Sequence, residues 1–157
     1  MRLTLFLLCV TLTLSVHAEG PADDLKAGKL PQRLEVLELQ GGFAGFTGSY
    51  AVVEPDGSWA VGQMLPRNQR GEPKAKGKLT AEQLTTLAKE LAKYDLATLP
   101  KHGEPETNPK VTRITFGKAV SELQPKPGTA TPEADKAIRA RYAGIVAAVK
   151  AACVGPK

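Results

Sequence analysis

The sequence predicts a single α+β domain in which an antiparallel sheet of about four to five strands packs against two helices. Three observations support this class. Short apolar segments alternate with turn signals over residues 34–63 and 111–123. Two segments, after residues 80 and 132, carry apolar stripes at helical spacing. The links between strands are short, which favours antiparallel pairing in the order β-ββ-α-ββ-α.

The first 18 residues are typical of a secretory signal peptide. Arg2 precedes an apolar run, and Ala18 ends a small-residue cleavage site. The run is short and interrupted by threonine, whereas a membrane span needs about 20 apolar residues. We therefore expect cleavage near Ala18 and export to the periplasm or the extracellular space, with an uncleaved anchor as the alternative. Residues 19–32 are polar and contain glycine and proline, which predicts a flexible lead-in to a domain at 33–153.

The first half of the domain is predicted to be sheet. Residues 34–39 read as one strand, and residues 49–53 and 58–63 read as a hairpin that turns at Pro55-Asp56-Gly57. Between the first two strands lies a glycine-rich connection that holds two phenylalanines: Gly41, Gly42, Phe43, Gly45, Phe46 and Gly48. Glycine accepts positive φ angles, so this connection can turn sharply while it presents two aromatic rings.

The second half supplies the helices and a second hairpin. Thr80 and Gln83 form a predicted capping box, and a leucine stripe follows it. Residues 111–116 and 119–123 predict two strands joined by a tight turn at Gly117. Thr131 and Pro132 are predicted to open the last helix. Its apolar stripe consists of Ile138, Tyr142, Ile145, Val149 and Ala152.

The formal net charge of +5 is concentrated in residues 66–78. The cations of this segment are Arg67, Arg70, Lys74, Lys76 and Lys78. Its glycines and prolines predict a solvated loop, and attraction to an acidic partner or an anionic envelope surface is the alternative. Nucleic-acid binding is not expected, because no aromatic residues that could stack on bases are interleaved with the cations.

No catalytic, metal or cofactor site is predicted. After removal of the signal peptide, His102 and Cys153 are the last histidine and cysteine, too few for the usual zinc sites. A single cysteine also excludes an internal disulfide, and Cys153 is expected to be a small apolar residue of the last helix. A carboxylate-dependent hydrolase is a minor alternative. It would require convergence of acids drawn from Glu35, Glu38, Asp95, Glu104 and Glu106.

The pentapeptide Gly41–Gly45 (GGFAG), which follows a first strand and precedes a second strand and a leucine-rich helix, resembles the emfourins. Emfourins are small bacterial proteins that inhibit thermolysin-like metallopeptidases. The resemblance covers roughly residues 34–123. It implies a non-enzymatic inhibitor of a secreted metallopeptidase that binds its partner through Gly41, Gly42, Phe43, Gly45 and Phe46.

The chain departs from the emfourin pattern in the segment 57–78, the export signal and the last helix. The residues of the later strand also differ from that pattern, so the resemblance transfers no other inhibitory residues. Two interpretations of Phe43 follow from the sequence: it fills the core while the glycines shape the turn, or it contacts the partner. The competing functional hypothesis is an envelope interaction domain that binds an acidic partner through residues 66–78.

Overall fold

The computed structural model describes residues 20–101, 109–124 and 133–154, and its strands form one six-stranded antiparallel sheet. The strands are β1 (Leu34–Gln40), β2 (Thr47–Val53), β3 (Ser58–Leu65), β4 (Gln69–Lys78), β5 (Lys110–Phe116) and β6 (Ala119–Leu123). Their order across the sheet is β4-β3-β2-β1-β5-β6, and every neighbouring pair is antiparallel. The predicted α+β class is therefore confirmed, with one more strand and one more helix than expected.

Three helices are described: α1 (Pro21–Lys26), α2 (Ala81–Ala92) and α3 (Glu133–Val154). The predicted capping box opens α2, because the Gln83 N–H donates to Thr80 Oγ1 at 3.2 Å and the Thr80 N–H donates to Gln83 Oε1 at 2.8 Å. Helices α2 and α3 bury their apolar stripes on one face of the sheet, the inner face. The largest fully buried side chains of this core are Leu34, Val53, Leu91, Tyr142, Ile145, Val149 and Cys153.

The opposite face of the sheet, the outer face, carries a second apolar cluster. Its buried members are Leu37, Leu39, Tyr50, Val52, Met64 and Val111. The alternation of side chains along each strand explains the two clusters, since Val36 and Leu37 point to opposite faces. Both faces of the central strands β1 and β2 are therefore apolar, which explains the imperfect alternation of residues 34–39.

The predicted loop at residues 66–78 is wrong for most of its length. Residues 66–68 form a tight turn, and Gln69–Lys78 form β4, which pairs with β3 from end to end with two irregularities in register. Nearly all β4 side chains are exposed, so neither face of this edge strand needs apolar residues. The sequence of β4 therefore lacks the alternation of apolar and polar residues that predicts a strand. Pro73 lies where the β3–β4 register shifts, a position at which an edge strand tolerates proline.

The lead-in at residues 19–32, predicted to be flexible, instead adds α1 to the domain. Leu25 and Leu30 are both buried in the inner-face core, at 2% and 4% exposure. Pro21 stands in the first turn, and the Lys29 N–H closes the helix end by donating to Asp24 O at 2.8 Å. Two isolated leucines are too few to produce a periodic signal, so the sequence pattern missed this helix.

Several predictions concern residues outside the described ranges. These are the signal peptide, the histidine at 102, the acids at 104 and 106, and the predicted helix start at 131–132. Among the described helices, none combines the length and the apolar character needed to cross a membrane.

The turns that contain Phe43 and Arg67 both lie at one end of the sheet, the loop end. There β1 turns into β2 through residues 41–46, β3 turns into β4 through residues 66–68, and β5 begins after Pro109. The opposite end holds the Pro55-Asp56-Gly57 turn and the turn at Gly117-Lys118.

Candidate functional site

The glycine-rich connection at the loop end is a tight turn with Phe43 and Ala44 at its tip. The Gly42 N–H donates to Gly45 O at 3.1 Å, and the Gly45 N–H donates to Gly42 O at 3.0 Å. This reciprocal pair extends the β1–β2 hairpin beyond the strands. Gly45 has φ = +98°, a conformation that side-chain-bearing residues rarely adopt, so glycine is needed to close the turn.

Neighbouring segments hold the turn from two sides. The Gly41 N–H donates to Pro109 O at 2.7 Å, which ties the base of the turn to the start of β5. On the other side, the Arg67 N–H donates to Ala44 O at 3.3 Å, which ties the tip to the β3–β4 turn. The backbone of the glycine-rich turn is thus hydrogen-bonded internally and to two further segments.

The two phenylalanines of this connection have different environments. Phe43 has a relative exposure of 110%, so its ring projects into solvent from the tip. Phe46 is half-buried and packs against the outer-face cluster. Of the two sequence-based interpretations of Phe43, core packing is therefore excluded. Phe46 instead fastens the base of the connection to the sheet.

The five predicted basic residues do not form one uniform patch. Arg70 forms an ion pair with Glu35, and its guanidinium carbon lies 5.4 Å from the centre of the Tyr50 ring. Lys78 Nζ lies 3.3 Å from the Asp56 carboxylate at the opposite end of the sheet. Within the described residues, the side chains of Arg67, Lys74 and Lys76 have no hydrogen bond or ion pair and are exposed.

The described carboxylates that could support hydrolysis do not converge. Glu35 and Glu38 lie on opposite faces of β1. Glu35 forms ion pairs with Arg33 and Arg70, whereas the Glu38 carboxylate lies 2.5 Å from Lys150 Nζ. Asp95 lies in an exposed turn after α2. Within the described ranges no group of three or more histidine, cysteine or acidic residues is placed to hold a metal ion.

A cleft of about 340 Å³ is lined by residues of β1 to β4 and of the C-terminal half of α3. Most of its lining is apolar, with Val36, Val61 and Val149 among its walls, and Cys153 is also part of the lining. Burial raises the pKa of the Cys153 thiol to about 11. The thiolate is therefore scarce at neutral pH, and this cysteine has the character of a structural residue rather than of a nucleophile.

The comparison with known proteins adds no family assignment: neither a family model nor a curated protein sequence matches this chain. The local geometry therefore provides the functional argument. The sequence singled out the glycine-phenylalanine segment and, separately, Arg67 in the basic segment, but it did not place the two together. Their proximity depends on the β3–β4 pairing, and the sequence of β4 carries no apolar pattern that would have predicted that pairing.

Proposed function

We propose that this chain is an exported, non-enzymatic protein-binding module that inhibits a secreted metallopeptidase by docking the turn at residues 41–46 into the peptidase cleft. The observation that carries the proposal is the full exposure of Phe43 at the tip of a hydrogen-bonded turn. A large aromatic ring in water provides nothing to the fold, but it can fill an apolar pocket of a partner.

The rigidity of the turn supports the same function. Binding orders flexible loops at a cost of about 0.5–1.5 kcal/mol per immobilised side chain, and a loop that is already ordered avoids part of this cost. Here hydrogen bonds within the turn and to two neighbouring segments fix the turn before any partner arrives. The resemblance of Gly41–Gly45 to the emfourin pentapeptide directs the choice of partner to thermolysin-like metallopeptidases.

The test is inhibition of a secreted thermolysin-like metallopeptidase by the predicted mature chain, from residue 19 to residue 157. Burial of a phenylalanine side chain is worth about 1.5–3 kcal/mol, so Phe43→Ala is expected to weaken inhibition roughly 10- to 150-fold. Val120→Ala is the matched control, because Val120 is an exposed apolar residue on β6, away from the turn. Electrophoresis after the assay must show the chain intact, since a competing substrate also lowers the measured rate.

Two outcomes would refute the proposal. Absence of inhibition across several such peptidases would remove the metallopeptidase as the partner. Equal inhibition by the Phe43→Ala variant and the wild type would show that the turn is not the binding site, whatever the target.

The second candidate function is an envelope interaction domain that binds an acidic partner through the basic residues. The exposed, uncompensated Lys74 and Lys76 on β4 favour it. Binding of this kind weakens as salt is added. Replacement of both lysines by glutamine would abolish it while leaving peptidase inhibition unchanged, so the two hypotheses can be separated in one preparation.

A further inference from the structure

The β3–β4 turn lies directly beside the tip that presents Phe43. The Arg67 N–H to Ala44 O hydrogen bond joins the two turns, and a side chain at Gly45 would place its Cβ 3.4 Å from Arg67 N. The two turns, distant in sequence, are therefore joined at the loop end through their backbones.

Arg67 has an unusual backbone for its residue type. Arg67 and Asn68 both have left-handed conformations, with φ values of 63° and 58°. Asparagine visits this region readily, whereas arginine does so at an energetic cost that glycine would not incur. Non-glycine residues with such angles cluster at binding and catalytic sites, because the cost persists only where the surroundings enforce it.

The described segments at the loop end, 39–48, 64–70 and 109–112, together contain arginine and lysine but no aspartate or glutamate. Arg67 is exposed, and within the described part of the chain its guanidinium has neither a hydrogen bond nor an ion pair. Arg70, three residues away, has Glu35 as its partner. Arg67 is thus an uncompensated cation on the turn whose backbone is hydrogen-bonded to the tip that presents Phe43.

We infer that Phe43 and Arg67 act together as one docking surface, and that its partner presents an apolar pocket with a carboxylate at the rim. The pocket accepts the Phe43 ring, and the carboxylate pairs with Arg67. This inference rests on the proposed function, since it describes the partner of the same site. It adds a charge requirement that the glycine-phenylalanine segment alone does not contain.

The experiment compares Arg67→Glu, Arg67→Gly and Phe43→Ala with Lys118→Glu in the metallopeptidase inhibition assay. Lys118 is exposed in the β5–β6 turn at the opposite end of the sheet, so Lys118→Glu changes the net charge equally without touching the surface. We expect Arg67→Glu to weaken inhibition about tenfold or more, and Lys118→Glu to change it less than twofold. The difference between wild type and Arg67→Gly is expected to shrink in about 0.5 M salt.

Thermal unfolding separates binding from folding. Glycine relieves the left-handed strain at position 67, so Arg67→Gly is expected to melt at the same temperature as the wild type or higher, while it binds more weakly. A merely structural arginine would not lose binding while it gains stability.

Each outcome decides the matter. If Phe43→Ala loses inhibition but Arg67→Glu inhibits as well as the wild type, the charge requirement is wrong and the proposed function stands. If Lys118→Glu weakens inhibition as much as Arg67→Glu, only the net charge matters and the local pairing is refuted. If the wild type does not inhibit, the proposed function and this inference fail together.

Discussion

Gly144 lies in the middle of α3 against the ring of Tyr94, and we predict that Gly144→Ala destabilises the protein. Two effects oppose each other at this position. Alanine is favoured over glycine in a helix interior by about 1 kcal/mol. However, a Cβ at position 144 would lie 2.5 Å from the Tyr94 hydroxyl oxygen and closer still to two ring carbons. Favourable contacts between heavy atoms lie at about 3.5–4.0 Å, so the ring would have to move.

Tyr94 is poorly placed to move. The Arg141 guanidinium donates two hydrogen bonds to the backbone carbonyl oxygen of Tyr94, at 3.0 and 2.9 Å, which hold the backbone from which the ring projects. The ring itself is held by the Tyr94 hydroxyl, which donates to the Glu90 carboxylate at 3.3 Å. Overpacking of a fixed site costs about 1–3 kcal/mol, which exceeds the gain in helix propensity. After subtraction of that gain, we expect a net loss of up to about 2 kcal/mol in the free energy of unfolding, or up to roughly 8 °C in Tm.

Urea denaturation of four proteins measures this balance: the wild type, Gly144→Ala, Tyr94→Ala and the double variant. Without the ring, only helix propensity remains, so Gly144→Ala is expected to stabilise the Tyr94→Ala background by about 1 kcal/mol. The sign of the substitution thus reverses between the two backgrounds. Stabilisation in the wild type, or the same change in both backgrounds, would refute the reasoning.

Two further predictions concern titratable groups. Hydrogen bonds from the Ser58 hydroxyl and N–H, with Lys78 nearby, lower the pKa of Asp56 to about 2, against about 3.9 for an unfolded aspartate. This carboxylate stabilises the folded state above pH ~4, and its contribution is lost as the pH falls towards ~2. Asp56→Asn should therefore flatten the pH dependence of Tm in that range, and identical Tm profiles for the variant and the wild type would contradict this. Burial raises the pKa of the Cys153 thiol to about 11. At pH ~8 this thiol should therefore react with a thiol reagent roughly a hundredfold more slowly in the native protein than in urea. Equal reaction rates in the two conditions would contradict its burial.

Sequence reasoning succeeded where the determinants are local. The capping box of Thr80 and Gln83 needs residues three apart, and it forms with the expected hydrogen bonds. The turn at Pro55-Asp56-Gly57 also forms as expected, with Gly57 at φ = +84°. In each case a short stretch of backbone contains the donors, acceptors and conformational preferences that specify the structure.

The sequence-based predictions failed where the structure depends on contacts between residues far apart in the chain. Arg141 supplies hydrogen bonds to the carbonyl oxygens of Tyr94 and Asp95 after α2, although no local pattern relates α3 to that segment. The docking surface formed by Phe43 and Arg67 requires the β3–β4 pairing, and the polar composition of β4 does not predict that pairing. The site was thus half predicted: the turn that presents Phe43 could be read from its glycines, and the partner turn could not.

The basic residues of β4 have a structural role that limits the envelope-binding hypothesis. An edge strand exposes unpaired backbone groups to other chains, and natural proteins protect such edges with lysine, proline and irregular pairing. β4 has all three features: Lys74, Lys76 and Lys78 along the strand, and Pro73 at the shift in register. Edge protection therefore accounts for the lysines without an acidic partner. Arg67 lies before the strand, on the turn that bonds to the Phe43 tip, and edge protection does not explain it. The basic segment accordingly divides into a protected edge and one cation that belongs to the docking surface.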